Sequence, residues 1–295
     1  MQRLPLLLAL SLLLPAAATA GPGKGKKVNF TFTPPAAGLV WTESQTMEMV
    51  ADIDIEIGGN KVGSMQSRSS EASIVSLELV AWSADRREAV LRYGVVGSTE
   101  VQTLPDGSKD NSDTPGPTSG KAYRGTQAGT ADATFVGLDG SAVTPAELDV
   151  LNGAWTDLPA IEEMGIEKLL TSKTWRVGEE LESDPAELGR LLDMDDDEAM
   201  SVKSGSMSLT ELRKVDGVRC AAFAVNIQVG LAEDEFGMTM TMAGEMVVTV
   251  NGLRPVSLAL AGPLTIAGEV EEEGMSMKMT GGGTFGANMT YAWGK

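Results

Sequence analysis

The chain has 295 residues, 41 of them acidic and 23 basic, for a formal net charge of -18. An acidic chain repels phosphate backbones and anionic membrane surfaces, which excludes nucleic acid as a partner. There is no histidine and one cysteine, Cys220, which excludes Ser-His-Asp and Cys-His mechanisms, histidine-ligated zinc and an internal disulfide.

Arg3, the apolar run Leu4 to Leu14 and the small residues Ala18-Thr19-Ala20 read as a cleavable export signal over residues 1–20. Residues 21–295 are expected to form one secreted or periplasmic β-rich domain. No later stretch is long and apolar enough for a membrane helix, and no cysteine at the cleavage point offers a lipid anchor. A first strand is expected over Val28 to Thr33. Met47, Met49, Ala51, Ile53, Ile55 and Ile57 then alternate with Glu48, Asp52, Asp54 and Glu56. Period two is the signature of a half-buried strand. Gly58-Gly59-Asn60-Lys61 turns into a polar, serine-rich return strand that includes Met65. Ile74 to Trp82 and Glu88 to Val96 form the next hairpin. Leu104 to Gly120, crowded with Pro, Gly, Ser and Asp, reads as a flexible loop.

Two short strands, Lys121 to Gln127 and Ala131 to Leu138, lead into the helical section, about residues 144–193. Thr144-Pro145-Ala146-Glu147 is a capping box with proline at the first helical position, and its helix is expected to end near Gly153. A middle helix is expected over Ile161 to Leu170. Asp184-Pro185-Ala186-Glu187 repeats the cap before Leu188, Leu191 and Leu192. From Met200 the chain returns to strands, with hairpin turns at Asp216-Gly217 and Asn251-Gly252.

The last strands carry the plainest pattern. Phe236, Met238, Met240 and Met242 share one face, and so do Met275, Met277, Met279 and Phe285. These eight are the candidate lining of an apolar ligand site, because methionine adapts to varied shapes. Counting through the turns places Met238 near Ile266 and Ile266 near Met279, with the two methionine rows separated by the middle strand. An odd-length loop or bulge is expected beside Asn251-Gly252, if Val250 and Val256 both point inward. Pro263 is expected to cause a local break. Strands of this length must coil. The fold class is therefore mainly β, a strongly curved antiparallel sheet or half-barrel with two or three short helices on an apolar face.

The layout resembles uncharacterised secreted bacterial proteins related to the lipoprotein-carrier fold. An export signal precedes long alternating strands, Asp139-Gly140 through Thr144-Pro145-Ala146-Glu147 opens a short helical insert, and Trp175-Arg176-Val177-Gly178 precedes the final strands. The resemblance implies a half-barrel with helices over its concave side, in a group some of whose members carry acylated molecules. The expected function is accordingly non-enzymatic, with no cofactor: binding of a lipid or other apolar molecule on the concave face, or an envelope role with a protein partner. The alternatives are an outer-membrane-associated β protein and a copper(I) carrier using the methionine thioethers. Asp193, Asp195 and Asp197 are the alternative cation ligands, but they lack the spacing and glycine of a calcium loop.

Overall fold

A computed structural model describes residues 25–156, 158, 165–182, 200–233, 236–272 and 275–294. The expected export signal, the helix expected from Asp184, and Asp193, Asp195 and Asp197 lie outside these residues. In chain order the elements are β1 (Lys27–Val28), β2 (Thr31–Phe32), β3 (Val40–Ile57), β4 (Asn60–Trp82), β5 (Arg86–Thr103), β6 (Lys109–Pro115), β7 (Ala122–Ala128), β8 (Thr134–Gly137), α1 (Pro145–Thr156) and α2 (Gly165–Thr171). β9 (Trp175–Arg176), β10 (Glu180–Glu182), β11 (Met200–Val215), β12 (Val218–Glu233), β13 (Phe236–Thr249), β14 (Asn251–Gly252), β15 (Pro255–Glu272) and β16 (Met275–Trp293) complete the chain.

Twelve strands form one antiparallel sheet in the order β10-β11-β12-β13-β15-β16-β3-β4-β5-β7-β8, with β6 on the free half of β5. The terminal strands β10 and β8 do not pair, so among the described residues the sheet is curved and open rather than a closed barrel. The curvature is written in glycines. A Cβ on Gly244 would lie 1.8 Å from the Ala259 carbonyl oxygen, one on Gly262 1.8 Å from that of Thr241, and one on Gly283 1.8 Å from that of Val50. These glycines sit on β13, β15 and β16 at inward-facing positions, where only a missing side chain lets adjacent strands bend together.

Directly opposed residues share a face, so the registers define two surfaces. The outward face of β16, β3 and β4 is largely polar, with Thr280, Asp54 and Ser64 in one row and Gly286, Glu48 and Ser70 in another. The inward face carries two cores. One gathers Met47, Phe223, Val229, Met240, Met242, Leu264 and Phe285 beneath Val28, Phe30, Leu170 and Trp175. The other gathers Leu77, Leu79, Leu91, Tyr93 and Tyr123 beneath Leu151 and Trp155 of α1. Each fully buried side chain of this kind contributes about 1.5–3 kcal/mol.

The expected helix cover is present, and Trp82 meets α1 edge-on through Trp155. Several expectations need correction. The first strand is two short pieces: β1 pairs with β9, and β2 pairs in parallel with β14. Pro34-Pro35 ends this segment before it can join the sheet, and it serves as a lid instead. The serine-rich return strand and Ile74 to Trp82 are one continuous strand, β4. No break is needed, because β3 pairs with β4 from Asn60 through to Glu78. The stretch read as a loop, 104–120, contains β6, whose seven residues are all exposed. A strand wet on both faces needs no hydrophobic alternation, and its charges suit an edge. α1 runs on to Thr156.

The ladder between β13 and β15 lapses at Thr241-Met242 opposite Gly262-Pro263 without changing register, the break expected at Pro263. A bulge lies between Val247 and Val248, as expected beside Asn251-Gly252. Its premise fails, however, since Val250 joins the inner core while Val256 packs outward against Cys220, Ala222 and Val247. Arg213 bonds Glu245 with both guanidinium nitrogens, at 3.0 and 2.6 Å, across this outer patch. Cys220 is therefore packed under side chains, not beneath a helix or loop, and burial raises its thiol pKa.

The capping box forms as read. Glu147 N–H donates to Thr144 Oγ1 at 3.3 Å, and Thr144 N–H donates to Glu147 Oε2 at 2.6 Å. Lys121 Nζ (2.7 Å) and the Tyr123 hydroxyl (2.6 Å) both donate to Glu147 Oε1, tying α1 to β7. These donors, Lys121 foremost, hold the Glu147 carboxyl well below the usual carboxylate range. Their stabilisation is complete above the ordinary glutamate pKa of about 4.3 and is lost as pH falls below it. Thermal melting from pH 7 to pH 3 should show a steeper loss for the wild type than for Glu147→Gln. Parallel curves would contradict this role.

Candidate functional site

The inward face is not uniformly apolar. Following the registers across the sheet gives rows of side chains that change character from one side to the other. The first row runs Leu231, Met238, Ile266, Gly281, Ile53 and Met65 across β12, β13, β15, β16, β3 and β4. The next runs Val229, Met240, Leu264, Gly283, Ala51, Ser67 and Gln102, reaching Asp110 on β6. A third passes from Phe285 and Met49 to Ser69, Glu100 and Ser112. A fourth passes from Ala287 and Met47 to Glu71, Ser98 and Thr114. The face is thus methionine and aliphatic on β12 to β16, small in the middle, and serine and carboxylate on β4 to β6.

The methionines divide by burial. Met47, Met207, Met240 and Met242 are sealed in the core, as is Phe285. Met49, Met65, Met238 and Met279 are half-buried and pack against its rim. Met277 is half-exposed beside Ile57. The side chains of Phe236 and Met275 lie outside the described residues. The two methionine rows are separated by β15, as expected, with Met238 opposite Ile266. Met279 is opposite Gly268 instead, and Ile266 faces Gly281, two residues from the expected pairing. The counting closed the ladder before residue 271, whereas β15 and β16 stay paired out to Glu272 and Met275. Thioethers two strands apart are separated by about 10 Å, which does not form a shared copper site.

A cleft of ≈ 240 Å³ near Met238 is lined chiefly by residues of outward parity, Gly230, Thr239, Thr265 and Ala267, with Lys203. A second, of ≈ 310 Å³, lies between β1 and β9 and is polar, lined by Lys27, Asn29, Thr174 and Arg176. Pro105, from the turn between β5 and β6, packs against Gly63 and closes the far end of the inward face, where a Cβ on Gly63 would come within 2.4 Å of the ring.

The polar half was missed at the level of sequence. Glu71 is half-buried opposite Met47, and burial pushes its carboxyl pKa up. No ion pair or side-chain hydrogen bond holds it among the described residues. Ser67 is 8% exposed, and the Ser69 hydroxyl is buried without a hydrogen-bond partner. Glu100 accepts from Gln102 Nε2 at 2.6 Å. The signal was present: Ser67, Ser69, Glu71 and Ser73 share parity with Leu77 and Leu79 once β4 is one strand. Among the described residues no three histidine, cysteine or carboxylate side chains converge on a metal position.

No protein-family model matches this chain, and no curated protein matches it. Among solved structures, the outer membrane protein OprG from Pseudomonas aeruginosa aligns at 7% identity over 88% of this chain and 99% of its own, with a TM-score of 0.15. MucB in complex with MucA(peri) aligns at 8% identity over 82% of this chain and 88% of its own, with a TM-score of 0.09. Likeness at these scores places the chain with neither protein. The established description is the curved, open antiparallel sheet itself.

Proposed function

We propose that this chain is an exported, non-enzymatic binding protein that holds an amphiphilic molecule on the inward face of its sheet. The observation that carries the reading is the gradation of that face from methionine to serine and carboxylate. A face serving only as core has no use for polar residues at inward positions, where each unsatisfied group costs stability. Half-buried methionines supply an adaptable wall for an apolar chain, because the unbranched thioether side chain can change rotamer cheaply. From Met238 to Met65 the first row crosses four strand spacings, roughly 19 Å along the sheet, which suits an extended alkyl chain. Export rests on Arg3, Leu4 to Leu14 and Ala18-Thr19-Ala20. The polar outward face of β16, β3 and β4 argues against the outer-membrane alternative, since a membrane barrel turns an apolar band outward.

Native mass spectrometry of gently purified protein, before and after addition of dodecanol, tests this reading. One added alkyl chain per protein is expected, with Met65→Gln/Met238→Gln lowering occupancy. Absence of any mass addition at saturating dodecanol would overturn it.

A further inference from the structure

The chemistry of the polar half names the headgroup. Glu71 and Glu100 stand diagonally on adjacent strands, because Glu71 is opposite Ser98 and Glu100 is opposite Ser69. Asp110 is diagonal to Glu100 in turn, through its pairing with Gln102. Diagonal neighbours of this kind lie about 7–8 Å apart, within reach of one bound group. No basic residue answers them on the same face. Arg68 pairs outward with Glu48, Lys61 pairs outward with Asp54, and Lys109 is opposite Thr103 on the outward side. Between the carboxylates lies a second, separate observation. The buried Ser69 hydroxyl has no partner, and Ser67 beside it is 8% exposed with no side-chain hydrogen bond among the described residues. Buried hydroxyls of native proteins are normally satisfied, so the Ser69 hydroxyl marks a place where something polar belongs.

We infer that the strip formed by Ser67, Ser69, Glu71 and Glu100 receives the headgroup of a cationic amphiphile, an organic amine carried on an apolar chain. This rests on the amphiphile reading and sharpens it. A fatty acid is disfavoured because its carboxylate would meet Glu71 and Glu100 with no cation between them. A bare metal ion is disfavoured because the carboxylates are spread over β4, β5 and β6 rather than converging. An ammonium group supplies three donors. It can bridge the two glutamates while offering a hydrogen to Ser69, and the chain behind it lies against the half-buried Met49, which is opposite Ser69. Glu71 is already partly desolvated, so little further burial cost is incurred when a cation arrives, and the ion pair forms in a less screened setting than on the open surface.

Isothermal titration below the micellar concentration separates the two claims. Dodecylammonium, dodecanol and dodecanoate are titrated into the wild type, Glu71→Gln/Glu100→Gln and the outward-facing control Asp113→Asn. The expected result is dodecylammonium binding at least about tenfold more tightly than dodecanol to the wild type, with dodecanoate weakest. In Glu71→Gln/Glu100→Gln the preference falls to near unity while dodecanol binding persists, which also reports an intact site. Asp113→Asn retains the preference, so general attraction to an acidic protein is not its source. Dodecanol binding with no preference for the amine, or a preference that survives in Glu71→Gln/Glu100→Gln, overturns the headgroup assignment and leaves the apolar site standing. Failure of all three probes to bind overturns the amphiphile reading itself.

Discussion

Gly283→Ala is expected to destabilise the protein by about 3 kcal/mol or more, out of proportion to one added methyl group. The new Cβ would sit 1.8 Å from the Val50 carbonyl oxygen, 2.8 Å from its carbon and 2.9 Å from the Ala51 Cα. All three are backbone atoms of β3, the strand that joins the two halves of the sheet through its long pairing with β16. Neither strand can retreat without parting a ladder. Gly244→Ala should behave alike, because its Cβ would meet the backbone of β15 at the same distance. Gly153→Ala is the counter-case. Gly153 lies in α1 with nothing within 4 Å of its Cβ position, so alanine there should stabilise by roughly 0.5–1 kcal/mol through helix propensity. Urea unfolding of the three variants measures both signs. Equal, small effects at Gly283 and Gly153 would remove glycine as the cause of the bend.

Trp175→Ala should cost about 3–5 kcal/mol. The indole is fully buried and meets Phe223 edge-on at 5.5 Å. Its Nε1 donates to the Leu170 carbonyl at 3.1 Å, and Lys173 Nζ stands 4.2 Å over the ring. Trp175 is also where β9 pairs with Val28 of β1. One side chain therefore fastens α2 and the N-terminal segment to the sheet. Trp175→Phe should recover part of the loss, leaving the Leu170 carbonyl without its donor. Denaturant titration of both variants checks the order, and a loss below about 1 kcal/mol for Trp175→Ala would contradict the account of the second layer.

Much of the scaffold was legible in the sequence because one face is buried and the other wet. Met238, Met240 and Met242 against Thr239 and Thr241 set the register of β13 correctly, and Asp216-Gly217 marked its hairpin through two positive φ values, 50° and 83°. The capping box at Thr144 and Glu147 was readable because its bonds are local. What failed was nonlocal or lacked alternation. β6 is wet on both faces, so Lys109–Pro115 carries no periodic signal. Val28 to Phe32 has a strand pattern, but Pro34-Pro35 diverts it into a lid whose partners, β9 and β14, lie far along the chain. The polar strip was hidden by composition. Ser67, Ser69 and Glu71 look like an outer face until β4 is followed unbroken to Leu77, and only then does parity turn them inward. The glycines at 244, 262 and 283 announced weakness in the strands, yet the carbonyl each one faces depends on the neighbour's register.

The central claim is that an alkyl chain lies along the inward face between the methionines and the serines. Methyl-labelled methionine NMR tests it most directly, because methionines line that face at different depths. On titration with dodecylammonium, the half-buried Met49, Met65, Met238 and Met279 should shift together and saturably, with the sealed Met207 little changed. A spectrum in which these four methyl groups stay fixed while the protein is saturated with ligand would contradict the account.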